Sequence, residues 1–262
     1  MRHQEIETRP LRVMISAGAS GIGLAIAQAF AREGARIHLC DVSQTAIDDV
    51  HRYLPGSHGA SVTDASDPTQ VATWFDDALN MLGGLDVLVN NAGIAGPTAR
   101  IEHITPEQWD HTMAVNVRSQ YLCARHAVAA LRASGRGAMI NLSSVAGRLG
   151  YPMRTPYSAS KWAVIGLTES LALELGDDDI TVNALLPGIV DSDRSRLVTE
   201  AKAHAKGISV TEMEASILAN VALHRKVPLA DVAATALFLA SPAGRSFTGQ
   251  RFNVCAGIQT LL

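Results

Sequence analysis

The sequence has few cysteines, no long apolar run and no excess of basic residues, and each absence argues against a class of protein. Its three cysteines, Cys40, Cys123 and Cys255, are far apart and form no C-x-x-C pair, which fits a reducing cytoplasmic location better than a disulfide framework. No run approaches the roughly 18 consecutive apolar residues of a membrane span. The N-terminal tail, residues 1–10, is polar and lacks the apolar core of a signal peptide. We therefore expect a cytoplasmic protein that does not enter a membrane.

The charge balance and the histidines exclude two further classes. The chain carries 22 Lys and Arg against 25 Asp and Glu, a formal net charge of −3, whereas nucleic-acid binders usually present a basic patch or stripe. None of the nine histidines lies in a His-Glu-x-x-His motif or a comparable cluster. We expect neither a nucleic-acid partner nor a metal.

Short apolar runs alternate with longer helical patterns along the chain. This alternation predicts an α/β protein, a single-domain Rossmann-type doubly wound parallel sheet of about seven strands with helices on both faces, over residues 11–262. A polar segment with helical propensity, residues 192–225, interrupts the pattern and is interpreted as a substrate lid. The predicted strands are residues 13–15, 36–40, 85–89, 138–142, 180–185 and 250–254. The predicted helices are residues 21–33, 71–82, 107–131, 158–175 and 232–240.

A glycine-rich turn follows the first predicted strand. Residues 16–23 read Ser-Ala-Gly-Ala-Ser-Gly-Ile-Gly and lead directly into a predicted helix. Glycines there let the backbone approach a pyrophosphate, and a helix N-terminus supplies free N–H groups and a partial positive charge. Such turns also arise for packing reasons, so the turn alone leaves both interpretations open.

Asp41 ends the second predicted strand, eighteen residues after Gly23. A carboxylate in that place can accept hydrogen bonds from the ribose hydroxyls of NAD, and it would repel the 2′-phosphate of NADP by roughly 4 kcal/mol for unit charges about 4 Å apart. No Lys or Arg follows in residues 42–44. The alternative is an ordinary surface acid, but the turn and the acid together favour an NAD site.

Tyr157 and Lys161 are four residues apart, so on a helix they share one face. An ammonium group near a phenol favours the phenolate, which suits acid–base chemistry near neutral pH. Taken alone, Tyr and Lys at this spacing usually form a solvated helix surface.

Taken in order, several motifs resemble the short-chain dehydrogenase/reductase family over about residues 11–257. Ser144 precedes Tyr157 by thirteen residues, the usual interval in that family. The motifs are the turn at residues 16–23, Asn90-Asn91-Ala92-Gly93, Asn116, Ser143-Ser144, Tyr157-x-x-x-Lys161 and Pro187-Gly188.

The resemblance implies a catalytic set of four residues. Tyr157 would be the general acid or base. Lys161 would favour its phenolate and hydrogen-bond the nicotinamide ribose, and Ser144 would hold the substrate oxygen. Asn116 would anchor a water that links Lys161 to solvent.

The resemblance also implies a set of cofactor-binding residues. Asp64 would meet the adenine amino group, Val115 would flank the adenine pocket, and Ile189 would meet the carboxamide through its backbone. The full set is Ser16, Gly18, Ser20, Gly21, Ile22, Gly23, Asp41, Asp64, Ala65, Asn91, Ala92, Gly93, Val115, Tyr157, Lys161, Pro187, Gly188, Ile189 and Ser192.

The chain departs from the family pattern at two places. Ala17 stands where the family usually has glycine, which implies a somewhat altered turn without loss of binding. Cys255 stands where an aspartate is frequent, and we interpret it as a small packing residue. Family members are usually homotetramers, and the apolar C-terminal end, residues 258–262, could pack against a neighbouring subunit.

The leading hypothesis is an oxidoreductase that transfers a hydride between NAD(H) and a secondary alcohol or ketone, such as a sugar, a polyol or another small hydroxy compound. Two alternatives remain: a 3-oxoacyl thioester reductase that uses NADPH, which Asp41 disfavours, and a non-catalytic nucleotide-binding sensor on the same fold. The substrate pocket should draw on residues 94–98, 145–154 and the lid. Arginines at 148, 154, 194 and 196 either meet an anionic group or lie at the surface.

Overall fold

The computed structural model describes residues 9–262 and contains one seven-stranded sheet in which every strand pair is parallel. The strand order is β3-β2-β1-β4-β5-β6-β7, which confirms the predicted doubly wound class and the strand number. Most of the predicted tail, residues 1–8, lies outside the described residues. The strands are β1 Arg12–Ser16, β2 Arg36–Asp41, β3 Gly59–Val62, β4 Val87–Asn90, β5 Ala138–Leu142, β6 Thr181–Pro187 and β7 Arg251–Val254.

Nine α-helices connect or cover these strands in the described part of the chain. None of the helices within residues 9–262 is long and apolar enough to cross a membrane. The helices are α1 Gly21–Arg32, α2 Gln44–Tyr53, α3 Pro68–Leu82, α4 Pro106–Met113, α5 Ser119–Ser134, α6 Thr155–Glu174, α7 Asp193–Lys206, α8 Val210–Leu218 and α9 Leu229–Ala240.

The apolar strands result from burial on both faces of the sheet. In β1, Val13 and Ile15 belong to the cluster formed with α1, α2 and α9, while Met14 belongs to the opposite cluster with α3, α5 and α6. All three side chains are fully buried. Alternate residues therefore face two different helical layers, and the strand reads as a continuous apolar run rather than as an alternating one.

Two elements, α2 and β3, were absent from the sequence-based expectation. In α2 only Ile47 and Val50 are buried, and β3 is a four-residue edge strand without a fully buried position. An edge strand and a mostly exposed helix present little apolar periodicity, so the pattern that identifies the central elements is missing there.

The single helix predicted over residues 107–131 is wrong in its continuity. The helix begins at Pro106, after a capping box formed by Thr105 and Gln108, and residues 114–118 form a π-helical turn between α4 and α5. Asn116 lies in this turn, and its side chain bonds to the backbone of Ile94 instead of facing solvent. Single π-turns inside helices are frequent at functional sites.

The strand order reverses between β1 and β4, because β2 and β3 lie on one side of β1 while β4 to β7 lie on its other side. The connections that leave the carboxyl ends of β1 and β4 therefore diverge and leave a crevice between them. In open α/β sheets this is the place where ligands bind.

Candidate active site

Two adjoining clefts open at the carboxyl ends of the strands, with volumes of about 920 and 1110 Å³. We name them the catalytic cleft, which contains Tyr157, and the nucleotide cleft, which contains Asp41. The residues that line both clefts are Ile22, Asn91, Ser192 and Arg194.

The N-terminus of α1 faces both clefts. Ser20 is the N-cap of this helix, yet its side chain makes no capping hydrogen bond. Gly21 has φ of +51°, and a Cβ added there would meet nothing within 4 Å. The first N–H groups of the helix therefore lack a side-chain partner and border open space, which is a favourable place for an anion.

The other two glycines of the turn serve packing rather than the cleft. A Cβ on Gly18 would lie 2.7 Å from the Cβ of Leu39, and one on Gly23 would lie 2.6 Å from Nδ2 of Asn91. Neither glycine lines a cleft. Gly18 and Gly23 pack the turn against the sheet and Asn91, and the residues of the turn that line a cleft are Ala17, Ser20, Gly21 and Ile22.

Ala17 adopts φ of +50°, the left-handed conformation that glycine normally supplies. Asn91 stabilises the turn, since its Nδ2 donates to the carbonyls of Ser16 and Ala17 at 3.2 and 2.8 Å. Ser16 Oγ in turn accepts the backbone N–H groups of Asn91 and Ala92. The turn thus keeps its course despite the alanine, and Ser16 supports it without lining a cleft.

Asp41 lies at the end of β2, is 8% exposed, and lines the nucleotide cleft. Its carboxylate accepts the backbone N–H groups of Ala19 at 3.3 Å and Ser43 at 3.2 Å. These long contacts fix the position of the carboxylate and leave acceptor capacity for a ligand in the cleft.

The remaining wall of the nucleotide cleft comes from the loops after β3 and β4. Of the predicted residues, Asp64, Ala65, Ala92, Gly93 and Val115 line it. The Oδ1 atom of Asp64 accepts the N–H and hydroxyl of Ser66, which orients the carboxyl group. Three further lining residues on or beside the β2 and β3 ends, Val42, Thr63 and Ser66, were not predicted from the sequence.

The structure brings three of the four predicted catalytic residues, Ser144, Tyr157 and Lys161, together in the wall of the catalytic cleft. Ser144 follows β5, while Tyr157 and Lys161 lie one turn apart on α6. The Nζ atom of Lys161 is 5.7 Å from the centre of the Tyr157 ring and donates to the carbonyl of Leu142 at 2.8 Å. The pair therefore faces the cleft instead of forming a solvated helix surface.

Lys161 is 4% exposed. Burial, with a smaller contribution from the nearby Arg194, lowers the pKa of its amine to about 7. Burial thus opposes the charged form of this amine, which a phenolate at Tyr157 would favour.

Asn116 is fully buried and lines neither cleft. Its Oδ1 accepts the N–H of Ile94 at 2.7 Å, and its Nδ2 donates to the carbonyl of Ile94 and to Ser160 Oγ. A Cβ on Gly93 would stand 3.3 Å from Asn116 Oδ1 and 3.4 Å from Lys161 Nζ. Asn116 thus holds the loop after β4 against α6, and its expected role in anchoring a water stays a prediction.

The last predicted residues, Pro187, Gly188, Ile189 and Ser192, line the catalytic cleft after β6. The C-terminal end folds back onto the same cleft: Leu261 lines it, is 5% exposed, and packs with the buried Cys255. The contact of this end with a neighbouring subunit stays a prediction, and the intramolecular contact was not predicted. No periodic pattern in the sequence signals it, because the contact joins the C-terminal segment to a cleft formed by distant parts of the chain.

The four arginines considered for an anionic group have different surroundings. Arg148 donates hydrogen bonds to a side-chain oxygen in β7 and to a backbone carbonyl of the C-terminal segment. Arg196 forms an ion pair with Glu200 at the surface. Arg194 is exposed and lines both clefts. Arg154 is 2% exposed and borders the catalytic cleft.

Known proteins resemble the whole of this architecture. The family model described as enoyl-(acyl carrier protein) reductase matches residues 16–259. A sorbitol dehydrogenase of Cereibacter sphaeroides is 34% identical over 93% of this chain and 95% of its own. A D-beta-hydroxybutyrate dehydrogenase of Rhizobium meliloti is 31% identical over 93% of this chain and 96% of its own.

A solved structure agrees with these relatives. A single-residue variant of the actinorhodin polyketide ketoreductase, crystallised with NADPH, superposes with a TM-score of 0.90 at 29% identity, covering 94% of this chain and 97% of that one. Family model, relatives and structure share hydride-transfer chemistry on a nicotinamide cofactor, while they differ in substrate. The chain belongs to the short-chain dehydrogenase/reductase family and is an oxidoreductase that works with a nicotinamide cofactor.

Proposed function

We propose that this protein is an NAD-dependent dehydrogenase of a secondary alcohol, or a reductase of the matching ketone, with Tyr157 as its general acid or base. The observation that carries the proposal is that Ser144, Tyr157 and Lys161 line one cleft, which adjoins a second cleft with Asp41 in its wall. Dehydrogenases named for sorbitol and D-beta-hydroxybutyrate among the relatives support a small hydroxy compound as substrate.

The residues present fit a nicotinamide dinucleotide. The α1 N-terminus, with its uncapped N–H groups at Ser20 to Ile22, suits the pyrophosphate. Asp64 and Val115 suit the adenine, and residues 187–189 suit the nicotinamide. When bound, the nicotinamide accepts or donates the hydride.

Asp41 favours NAD over NADP. Its carboxylate is held by Ala19 and Ser43 at the wall of the nucleotide cleft, where it can accept ribose hydroxyls and would repel a 2′-phosphate. At about 4 Å and an effective dielectric constant of 20, the repulsion amounts to roughly 4 kcal/mol. The ketoreductase structure with NADPH is therefore a relative in fold whose cofactor we do not assign to this chain.

The chain's own residues handle the proton and the substrate oxygen. Tyr157 takes the hydroxyl proton in oxidation and returns it in reduction. Lys161 supplies the adjacent positive charge, and Ser144 hydrogen-bonds the substrate oxygen. Asn116 holds the loop and helix that carry this group, and we propose that it also anchors a water connecting Lys161 to solvent.

The surrounding features support this assignment as further proposals. Residues 192–225, which include α7 and α8, would act as the substrate lid, because Val198, Thr199 and Ile217 line the catalytic cleft. We further propose that residues 11–262 act as one domain, that the protein is cytoplasmic, and that it assembles as a homotetramer without nucleic-acid or membrane partners.

A binding experiment separates the proposal from the NADPH-dependent alternative. Binding of NAD and NADP is titrated with the wild type, Asp41→Asn and Asp48→Asn, an exposed acid on α2 that serves as the matched control. We expect the wild type to bind NAD more tightly than NADP. The difference between the two affinities should be smaller in Asp41→Asn and unchanged in Asp48→Asn. Tighter binding of NADP would instead favour the 3-oxoacyl thioester reductase.

The activity is tested with NAD at alkaline pH on sugars, polyols, hydroxy acids and hydroxysteroids. Turnover of at least one secondary alcohol is expected. Binding of NAD without turnover of any alcohol or reduction of any ketone would support the non-catalytic sensor.

A further inference from the structure

Buried positive charge lies in the wall of the catalytic cleft, at Arg154, and behind it, at Lys202, and it has no carboxylate partner among residues 9–262. Arg154 is 2% exposed; its Nη2 donates to the carbonyl of Ala95 at 2.6 Å, but its Nε and Nη1 have no hydrogen-bond partner among residues 9–262. Lys202, on α7, is 3% exposed and makes no ion pair with any described residue. Buried charges in proteins are normally paired with an opposite charge. The charges of Arg154 and Lys202 lack such a partner among the described residues.

The two cations are connected through Tyr151. The Nζ atom of Lys202 is 4.0 Å from the centre of its ring, and the guanidinium carbon of Arg154 is 5.3 Å from the same ring. Arg154 also lies 5.2 Å from the ring of Tyr157, the proposed acid–base residue. The positive charge thus stands directly beside the reacting end of the cleft.

The rest of the cleft adds to this charge rather than neutralising it. Lys161 and Arg194 also line it, and none of its lining residues in the described part of the chain is an aspartate or a glutamate. The nucleotide cleft contrasts with it, since Asp41, Asp64 and Asp193 line that one. Although the chain has a net charge of −3, the described residues that line this cleft include basic side chains and no acidic ones.

The aromatic faces do not account for the buried charge. Attraction between a cation and an aromatic ring is weaker than the penalty for burying a charge without a counter-ion. Lys202 can lose its proton, because burial and the neighbouring Arg154 and Lys206 lower its pKa to about 7. Arginine side chains keep their proton in proteins, so the charge of Arg154 remains and requires an anion.

We propose, building on the dehydrogenase function above, that the substrate is a hydroxy acid or the matching keto acid, whose carboxylate is bound next to Arg154 while its hydroxyl or carbonyl oxygen meets Tyr157 and Ser144. Arg154 is the residue that determines this specificity. Lys202 strengthens the attraction from the far side of Tyr151, and the ligand's carboxylate supplies the missing counter-ion.

The test compares each of several short hydroxy carboxylates, 2- and 3-hydroxybutyrate among them, with its uncharged primary amide in the NAD-dependent reaction. We expect kcat/KM of the wild type to favour the acid by roughly 10–100-fold, the range of a charge-assisted hydrogen bond. Arg154→Met should bring the acid-to-amide ratio close to one, and Arg154→Lys should retain part of the preference. A ratio near one in the wild type, or an unchanged ratio in Arg154→Met, would overturn the proposal.

Arg148→Met is the matched control, because Arg148 lies in the same loop but donates to β7 and the C-terminal segment and does not line the cleft. Its acid-to-amide ratio should equal that of the wild type. A fall as large as that in Arg154→Met would mean that any lost arginine in this loop disturbs the site, and it would count against the specific role of Arg154.

A binding measurement keeps the proposal separate from the dehydrogenase function. Butyrate and butyramide are compared for their ability to raise the thermal unfolding temperature of the wild type and of Lys202→Met. A larger rise with butyrate in the wild type, reduced in Lys202→Met, supports an anion site even if no alcohol is turned over. Equal effects of butyrate and butyramide contradict it, even if neutral alcohols are oxidised.

Discussion

The two ends of the sheet treat buried charge in opposite ways. At the amino ends of the strands, Asp86 is fully buried and pairs with Arg9 at 2.8 Å, Arg12 at 2.9 Å and Arg136 at 3.3 Å. At the carboxyl ends, Lys161, Arg154 and Lys202 are buried, and none of them has a carboxylate partner among the described residues. Both ends contain cations, but only one contains the anion that compensates them.

This difference distinguishes charged residues that stabilise the fold from charged residues that serve a ligand or a reaction. Charges that are paired within the chain tie strands and loops together and serve the fold. Charges that the fold buries without a partner cost stability, and they are retained where a ligand, a cofactor or a reaction needs them. Substitutions at the amino end should therefore lower stability and spare catalysis, whereas those at the carboxyl end should impair catalysis or ligand binding and leave stability unchanged or raise it.

Tyr157→Phe is expected to have the largest effect on activity. Removing the phenolic hydroxyl deletes the proposed acid–base group, so turnover should fall by about 10²–10⁴-fold. Among residues 9–262 the hydroxyl makes no hydrogen bond, and the ring keeps its contacts with Tyr151 and Arg154. Unfolding by urea and binding of NAD should therefore stay close to the wild type.

The exposed Tyr121, a surface residue of α5, provides the control for this substitution. Tyr121→Phe should leave turnover unchanged. If Tyr157→Phe kept most of its activity, Tyr157 would be excluded as the acid or base. The functional contrast between the two ends of the sheet would then lose its strongest support.

Asp86→Asn should have the largest effect on stability. It leaves three arginines around an uncharged amide, and breaking a buried ion pair typically costs about 3–5 kcal/mol. Urea unfolding measures the loss, while kcat/KM of the folded variant should remain near the wild-type value. Arg9→Gln, which removes the most exposed of the three partners, is the milder variant if the first does not fold.

The same carboxyl group predicts how stability depends on pH. Burial opposes the ionisation of Asp86, but hydrogen bonds from Arg12 and Arg9 outweigh it and hold the pKa well below its usual range. A depressed pKa contributes stability above the unfolded value of about 4, and this contribution is lost as pH falls through the folded value. Below about pH 4 the unfolding free energies of the wild type and Asp86→Asn should converge, and a constant difference would contradict this account.

Lys202→Met should act in the opposite direction and stabilise the ligand-free protein. Replacing an uncompensated buried charge by an apolar side chain of similar length is worth about 1–4 kcal/mol in comparable cases. The groups that face Lys202 are Tyr151, Arg154 and Lys206, none of which supplies a carboxylate. A less stable variant would show that the cation supports the fold, as the arginines at the amino end do.

The gain from Lys202→Met should depend on pH in a defined window. The pKa of Lys202 falls from 10.5 to about 7 on folding, so between these values the unfolded chain binds the proton that the folded one lacks. Wild-type stability therefore rises with pH from about 7 to 10.5 relative to the variant. The advantage of the variant should be largest below pH 7 and shrink toward pH 10.5.

The sequence predicts the central fold well and its periphery poorly. The strands β1, β4, β5 and β6 are apolar runs buried on both faces, and their pattern depends on the sheet alone. The edge strand β3 and the exposed helix α2 lack that pattern, and the π-turn around Asn116 depends on a contact with Ile94, which is distant in sequence.

The same distinction holds for the site. Tyr157 and Lys161 lie one helical turn apart, so local spacing is enough to place them together. The contacts of Lys202 with Tyr151 and the return of Leu261 to the cleft join segments far apart in the chain, and no local pattern encodes them. Motifs therefore indicate the family and its hydride-transfer chemistry, while the residues that we propose to select the substrate emerge only from the folded chain.

The smallest expected effect concerns Ala17, in the turn at the carboxyl end. Its φ of +50° costs an alanine about 1–2 kcal/mol, whereas glycine adopts it freely but loses more entropy on folding. Ala17→Gly should therefore stabilise the protein by about 0.5–1 kcal/mol in urea unfolding. Ala19→Gly, two residues along at a position without positive φ, is the matched control and should be neutral or destabilising.

Binding of NAD distinguishes the two possible meanings of this strain. If the strained turn holds the α1 N-terminus in place for the pyrophosphate, Ala17→Gly should gain stability and bind NAD no more tightly. If cofactor binding instead relieves the strain, that relief contributes to NAD affinity in the wild type. Ala17→Gly would then be more stable than the wild type but would bind NAD more weakly. We expect the first result, because the hydrogen bonds from Asn91 already fix the carbonyls on both sides of the strained residue, so the same backbone is presented with either side chain.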